Sequence, residues 1–196
     1  MNYFHPKRFF KFKSYNVTEQ NYISNDVFKQ IKGFTRWSLN KEQKLLIDKL
    51  IPNEESKQRY IDYGLCKGCK QPNTDDYWCQ SCNSKHFQQN FKNWTSGNSD
   101  VDKLIQESQL NAKSYEKVLE WIEYDKFEDI EYITKGGFGK VYKANWKDGC
   151  IIKWDYETNQ WKRDKFDPMF VALKCLNNSK DITLEFLNEV NIAMIV

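Results

Sequence analysis

Lys135-Gly136-Gly137-Phe138-Gly139-Lys140-Val141-Tyr142, followed further along by Val171-Ala172-Leu173-Lys174, is the stretch that decides how the second half of this 196-residue sequence folds. Its glycines separate two β-prone runs, Ile130–Thr134 and Lys140–Trp146, and so predict a hairpin. Asp148-Gly149 predicts a turn into a strand over Cys150–Asp155. Trp161 to Phe166 reads as a returning strand and Phe170–Leu176 as a short apolar one. Asp181 then caps a helix whose Ile182, Phe186, Leu187, Val190 and Met194 share a face. Antiparallel sheet plus helix is the pattern expected for this half.

An isolated Gly-Gly-Phe-Gly string is normally a plain hairpin turn. Here other residues join it. Glycine backbone leaves N–H groups open to phosphate oxygens that side chains would screen. Val141 is expected to point inward, and Lys174 lies between Leu173 and Cys175, where a core strand has no packing reason for a lysine. A lysine that touches phosphates needs a carboxylate to hold it, and the predicted helix carries Glu189, with Glu185 one turn away as the competing partner.

These residues resemble the N-terminal lobe of the eukaryotic protein kinase catalytic domain, over residues 125–196. The resemblance implies ATP as ligand. It makes Lys174 the strand lysine at the nucleotide phosphates and Glu189 its helix partner. Ile133 and Val141 become the adenine ceiling, Ala172 the small residue beside the ring, and Gly136, Gly137 and Gly139 the loop over the phosphates. Two departures accompany it. Thr134 stands where the family loop has its first glycine, and the interval from Val141 to Lys174 is long, with residues 146–168 reading as an extended hairpin of no assigned role. Neither His-Arg-Asp nor Asp-Phe-Gly occurs, so the aspartates and asparagine that would hold magnesium and orient a hydroxyl are missing. No catalytic residue is therefore expected in this chain, which alone is expected to be inactive. Two expectations stay open: a protein kinase whose full-length form transfers the γ-phosphate of ATP to protein hydroxyls, and a non-catalytic interaction protein. The sequence does not distinguish a fragment from a natural truncation.

Cys66-Lys67-Gly68-Cys69 and Cys79-Gln80-Ser81-Cys82 form C-x2-C-x9-C-x2-C. Two tight turns of this kind aim four thiolates at one point, the tetrahedral sulfur set that zinc prefers, and predict a zinc-ribbon-like module over residues 66–95. With no open coordination position, such a zinc is structural. Redox-active pairs are the alternative. His86 reads as a neighbour, and Cys150 and Cys175 as small core residues. The lysines and aromatics of this module are compatible with nucleic acid, but on so small a charge excess a protein-binding or folding-support role is the expectation.

The rest of the chain is read as helical. Asn40 predicts the start of a helix through Ile51, Pro52 its end, and Glu54–Tyr63 a second helix. Residues 1–38 receive no fold. Thr95-Ser96-Gly97-Asn98-Ser99 reads as a linker. The stripe Val101, Leu104, Ile105, Leu110, Tyr115, Val118, Leu119 and Ile122 predicts an amphipathic helix over 99–124, broken once, with Ser99 and Asp102 as a capping box. Residues 1–65 hold 12 Lys/Arg against 7 Asp/Glu, whereas 100–133 hold 4 against 10, a contrast that suggests separate modules: 1–65, 66–95, 99–124 and 125–196. Net charge is only +3, and no apolar run reaches the ~20 residues of a membrane span. No signal-peptide pattern opens the chain. The class expected is α+β, intracellular and cytoplasmic, with ATP, zinc and a protein substrate or partner as ligands and no membrane.

Overall fold

In the computed structural model, residues 3–5, 22–137, 139–164 and 169–176 are described. Its N-terminal helices begin where polar side chains satisfy the orphan N–H groups of a first turn. Asn40 accepts from Gln43 N–H, and the Gln43 side chain returns to the Asn40 N–H, which starts α2 (Lys41–Leu50). After Pro52, Asn53 caps α3 (Glu54–Tyr63) by accepting from Ser56 N–H. Residues 1–38, for which no fold is predicted from sequence, contain β1 (Tyr3–His5), α1 (Asn25–Ile31) capped by Ser24, and a 3₁₀ turn at Arg36–Ser38. A seven-residue helix is too short to declare a period; packing holds it, because Ile31 is buried with Ile47, Ile51 and Tyr60. The Tyr60 hydroxyl donates to the Ile31 carbonyl at 3.1 Å.

The expected helix over 99–124 is corrected. Only Ser99–Asn111 is helical (α5), its cap is Asn98 rather than Ser99, and the chain then turns through a 3₁₀ segment at Tyr115–Lys117 into β2 (Glu120–Ile122). Two side chains of α5 explain the reversal. Ser108 donates to the Lys117 carbonyl and accepts from Leu119 N–H, while Gln109 donates to the Leu119 carbonyl at 2.8 Å. The returning strand thus finds buried hydrogen-bond partners on the helix it has just left, which offsets the cost of burying its backbone. The apolar stripe is real, but its second half reads as helix only because 115, 118, 119 and 122 happen to fit the spacing.

Beyond this, β3 (Phe127–Gly136), β4 (Gly139–Trp146) and β7 (Phe170–Leu176) form an antiparallel sheet in the order β3-β4-β7. Between β4 and β7 the insertion folds as a hairpin, β5 (Cys150–Asp155) and β6 (Gln160–Asp164). Gly149 enters it at φ 65°, the left-handed region that favours glycine. β1 pairs with β2, Tyr3 opposite Ile122. Ala144, Leu173, Trp146, Phe127 and Ile122 close the core beneath the sheet. The fold is mixed α+β, with five α-helices and small antiparallel sheets among the described residues. The helix expected from Asp181, with Glu185 and Glu189, lies outside them.

Candidate metal centre and glycine hairpin

Two local structures deliver the four cysteines. Cys66 opens a knuckle closed by Cys66 N–H to the Gln71 carbonyl at 2.8 Å and Lys70 N–H to the Cys66 carbonyl at 3.0 Å. Lys70 takes φ 64° to complete the turn. The second pair is carried differently from the paired turns that the sequence suggests: Cys79 is the N-cap of α4 (Gln80–Asn90), and Cys82 lies in its first turn. Open N–H groups and the positive end of the helix dipole favour thiolates there.

The four sulfurs lie within 4.8 Å of one another. Cys66 Sγ is 3.7 Å from Cys82 Sγ, and Cys69 Sγ is 3.6 Å from Cys79 Sγ. A disulfide requires about 2.05 Å, whereas four Zn–S bonds of about 2.3 Å in a tetrahedron put their sulfurs about 3.8 Å apart. The cluster therefore has the size of a metal site and can hold a metal ion. Its protons are held unequally: hydrogen bonds from Cys69, Cys79 and Cys82 drive the Cys66 thiol far down, while those to Cys66 push Cys69 and Cys79 up. A bound cation would favour all four as thiolates. Cys150 and Cys175 stand apart, packed beside the sheet core as expected.

Both flanks support the centre. From the N-terminal helices, Arg59 donates to the Pro72 and Asn73 carbonyls. Gln71 exchanges two bonds with the backbone of Ile23, at 2.7 and 3.0 Å. Behind the cysteines Trp78 is fully buried, its Nε1–H donating to the Ala112 carbonyl at 2.8 Å. Its core partners are Phe87, Ala112, Val118 and Ile151, with Trp161 against them. This core draws on residues from stretches that charge and composition set apart.

The insertion supplies the far wall, and nothing in the sequence reading assigned it that role. Trp154 stacks on His86 with ring centres 3.7 Å apart and planes 7° from parallel. Trp161, paired with Trp154 across the hairpin, stacks on Phe87 at 4.3 Å. The Tyr156 hydroxyl lies 3.1 Å from Cys66 Sγ. Burial pushes the His86 imidazole below its usual range, and its ring packs as a neighbour of the four sulfurs, as expected. At the root, Arg163 pairs with Glu120 at 2.6 Å and donates to the Gly149 carbonyl, and Glu120 also accepts from Ile151 N–H. The legible signal was the aromatic set itself: Trp154 on β5, Tyr156 in the turn just after it, and Trp161 opposite Trp154.

On the sheet, Val141 is paired with Thr134 on one side and Lys174 on the other, and Lys143 with Ala172. Residues opposite or two apart share a face, so Val141, Ala172 and Lys174 lie together on the face turned away from buried Ala144 and Leu173. Ile133 is the extra residue of a β-bulge between the Tyr132–Tyr142 and Thr134–Val141 pairs and is 55% exposed. Gly136 faces Gly139 at the hairpin end, and Gly137 turns it. Among the described residues, a Cβ at Gly136 or Gly137 would meet nothing within 4 Å, and neither has the positive φ that demands glycine.

No family model, no curated protein and no solved structure matches this chain. No helix among the described residues is long and apolar enough to cross a membrane.

Proposed function

We propose that this chain is a protein kinase-like, ATP-binding protein whose nucleotide face stands on a module organised by structural zinc, and whose full-length form transfers the γ-phosphate of ATP to protein hydroxyls. The observation that carries the nucleotide reading is the common face of Val141, Ala172 and Lys174, beside two glycines at which a Cβ would meet none of the described residues. A lysine there would meet phosphate oxygens under an exposed glycine backbone, with valine and alanine against a flat base. Lys143, with its Nζ 3.9 Å from the Phe170 ring centre, is on the same face and held over that ring.

Zinc fits the donor set. Four sulfurs at tetrahedral spacing suit a soft-to-borderline cation, and a site with all positions filled by protein has none for substrate. The bound ion supplies a cross-link between the knuckle and the first turn of α4. Metal analysis of fresh protein, expecting one zinc per chain, checks this part.

The nucleotide part is tested by titrating the purified chain with a fluorescent ATP analogue and magnesium. Saturable binding that Lys174→Met abolishes is expected. No binding by the wild type up to millimolar nucleotide would sink the ATP reading and leave an interaction protein.

A further inference from the structure

The β5–β6 insertion lies between the two strands that carry Val141 and Lys174, yet its aromatic side chains all turn to the cysteine module. The geometry points to Tyr156 as an outer-sphere positioning residue of the metal centre, donating its phenolic O–H to the Cys66 thiolate, so that the insertion is a clasp fastened by the metal site. This rests on the four cysteines holding a metal.

Three observations converge on it. First, the Tyr156 oxygen sits 3.1 Å from Cys66 Sγ. A metal-bound thiolate only accepts, and a phenol retains its proton at neutral pH, so the direction of the bond is fixed by chemistry. Second, the chain makes room for that ring. A Cβ at Gly68 would lie 2.8 Å from Tyr156 Cε1 and 2.9 Å from its oxygen, so glycine inside the first C-x-x-C is required by the tyrosine. Gly68 has no positive φ to explain it otherwise. Third, the ring is delivered by a braced element: Trp154 and Trp161 are stacked on His86 and Phe87, and Arg163 ties the root to Glu120. Partners of this kind orient ligands and temper their charge, and losing one typically costs about 10–100-fold in metal affinity.

The test uses the whole chain loaded with zinc or cobalt(II). Tyr156→Phe keeps the ring and removes the donor. We expect zinc transfer to a chromophoric chelator to become about tenfold faster, with the thermal transition of the loaded protein little changed. In the cobalt form the sulfur-to-metal charge-transfer band should move to lower energy, because the thiolate loses a hydrogen bond; a merely structural tyrosine would leave that band in place. Gly68→Ala should speed release comparably, and in a Tyr156→Ala background it should add less than about twofold, since sites in contact are not additive. Removing zinc should raise amide exchange across residues 150–164.

Wild-type release rates and an unmoved cobalt band in Tyr156→Phe would overturn the assignment while leaving the metal centre standing. A wild-type chain that takes up neither metal would overturn both.

Discussion

The four-cysteine centre lies against the tip of the insertion, the glycine hairpin at the end of β4 away from the insertion's root, and they are built in opposite ways. The centre is closed: four sulfurs, a fully buried tryptophan behind them, and partners from the N-terminal helices and the hairpin on either side. The glycine face is barer: among the described residues nothing lies within 4 Å of a Cβ at Gly136 or Gly137, and Ile133 is exposed. A closed polar cluster is a means of holding structure, because its groups satisfy one another. On the function proposed above, the barer face is the one that would meet nucleotide.

Breaking the centre should have the largest effect. Cys69→Ser with Cys82→Ser removes two ligands, and structural zinc sites of this kind contribute on the order of 10 kcal/mol to folding. Loss of bound metal and of the cooperative thermal transition is expected; a cooperative, metal-free fold would show that the aromatic core suffices. Trp78→Ala comes next. It empties a fully buried site and unpairs the Ala112 carbonyl, for a loss of about 3–5 kcal/mol by denaturant titration.

The glycine face should respond in the opposite sense, with function lost and fold kept. Lys174→Met is expected to cut nucleotide affinity at least about tenfold, or about 1.4 kcal/mol, with metal content unchanged. Gly136→Ala sharpens the contrast: at a position without positive φ and with open space, alanine should stabilise by about 0.4–1 kcal/mol while weakening nucleotide binding. Equal binding by both proteins would mean that the uncovered backbone has no ligand.

The smallest effect belongs to the turn before α5. Partial burial works against the Asp102 carboxylate, but bonds from Ser96 and Thr95 hold its pKa below the usual value. Its stabilisation is therefore complete above the unfolded carboxylate pKa and fades as pH falls through the lower folded value. Asp102→Asn should cost about 1 kcal/mol or less at neutral pH, given solvent screening, and the difference from wild type should vanish in acid.

Much of this was readable in the chain. The Asn40 cap, the break at Pro52, the strands around the glycines and the cluster of four cysteines all follow from residues close in sequence, where spacing alone sets geometry. The helix expected through Ile122 failed because Ser108 and Gln109, polar positions in an apolar stripe, bind a chain that returns from beyond Asn111. The α1 helix was missed because seven residues carry no period of their own.

By itself the sequence determined the four-cysteine cluster and the β-glycine-β pattern, since C-x-x-C turns and hairpins are made by neighbours along the chain. Only the tertiary structure decided that the long insertion closes over the cysteines, with Tyr156 on Cys66 and Trp154 on His86. Those pairs join residues far apart in sequence, and such contacts form only when two separately built surfaces match in shape and in unsatisfied hydrogen bonds.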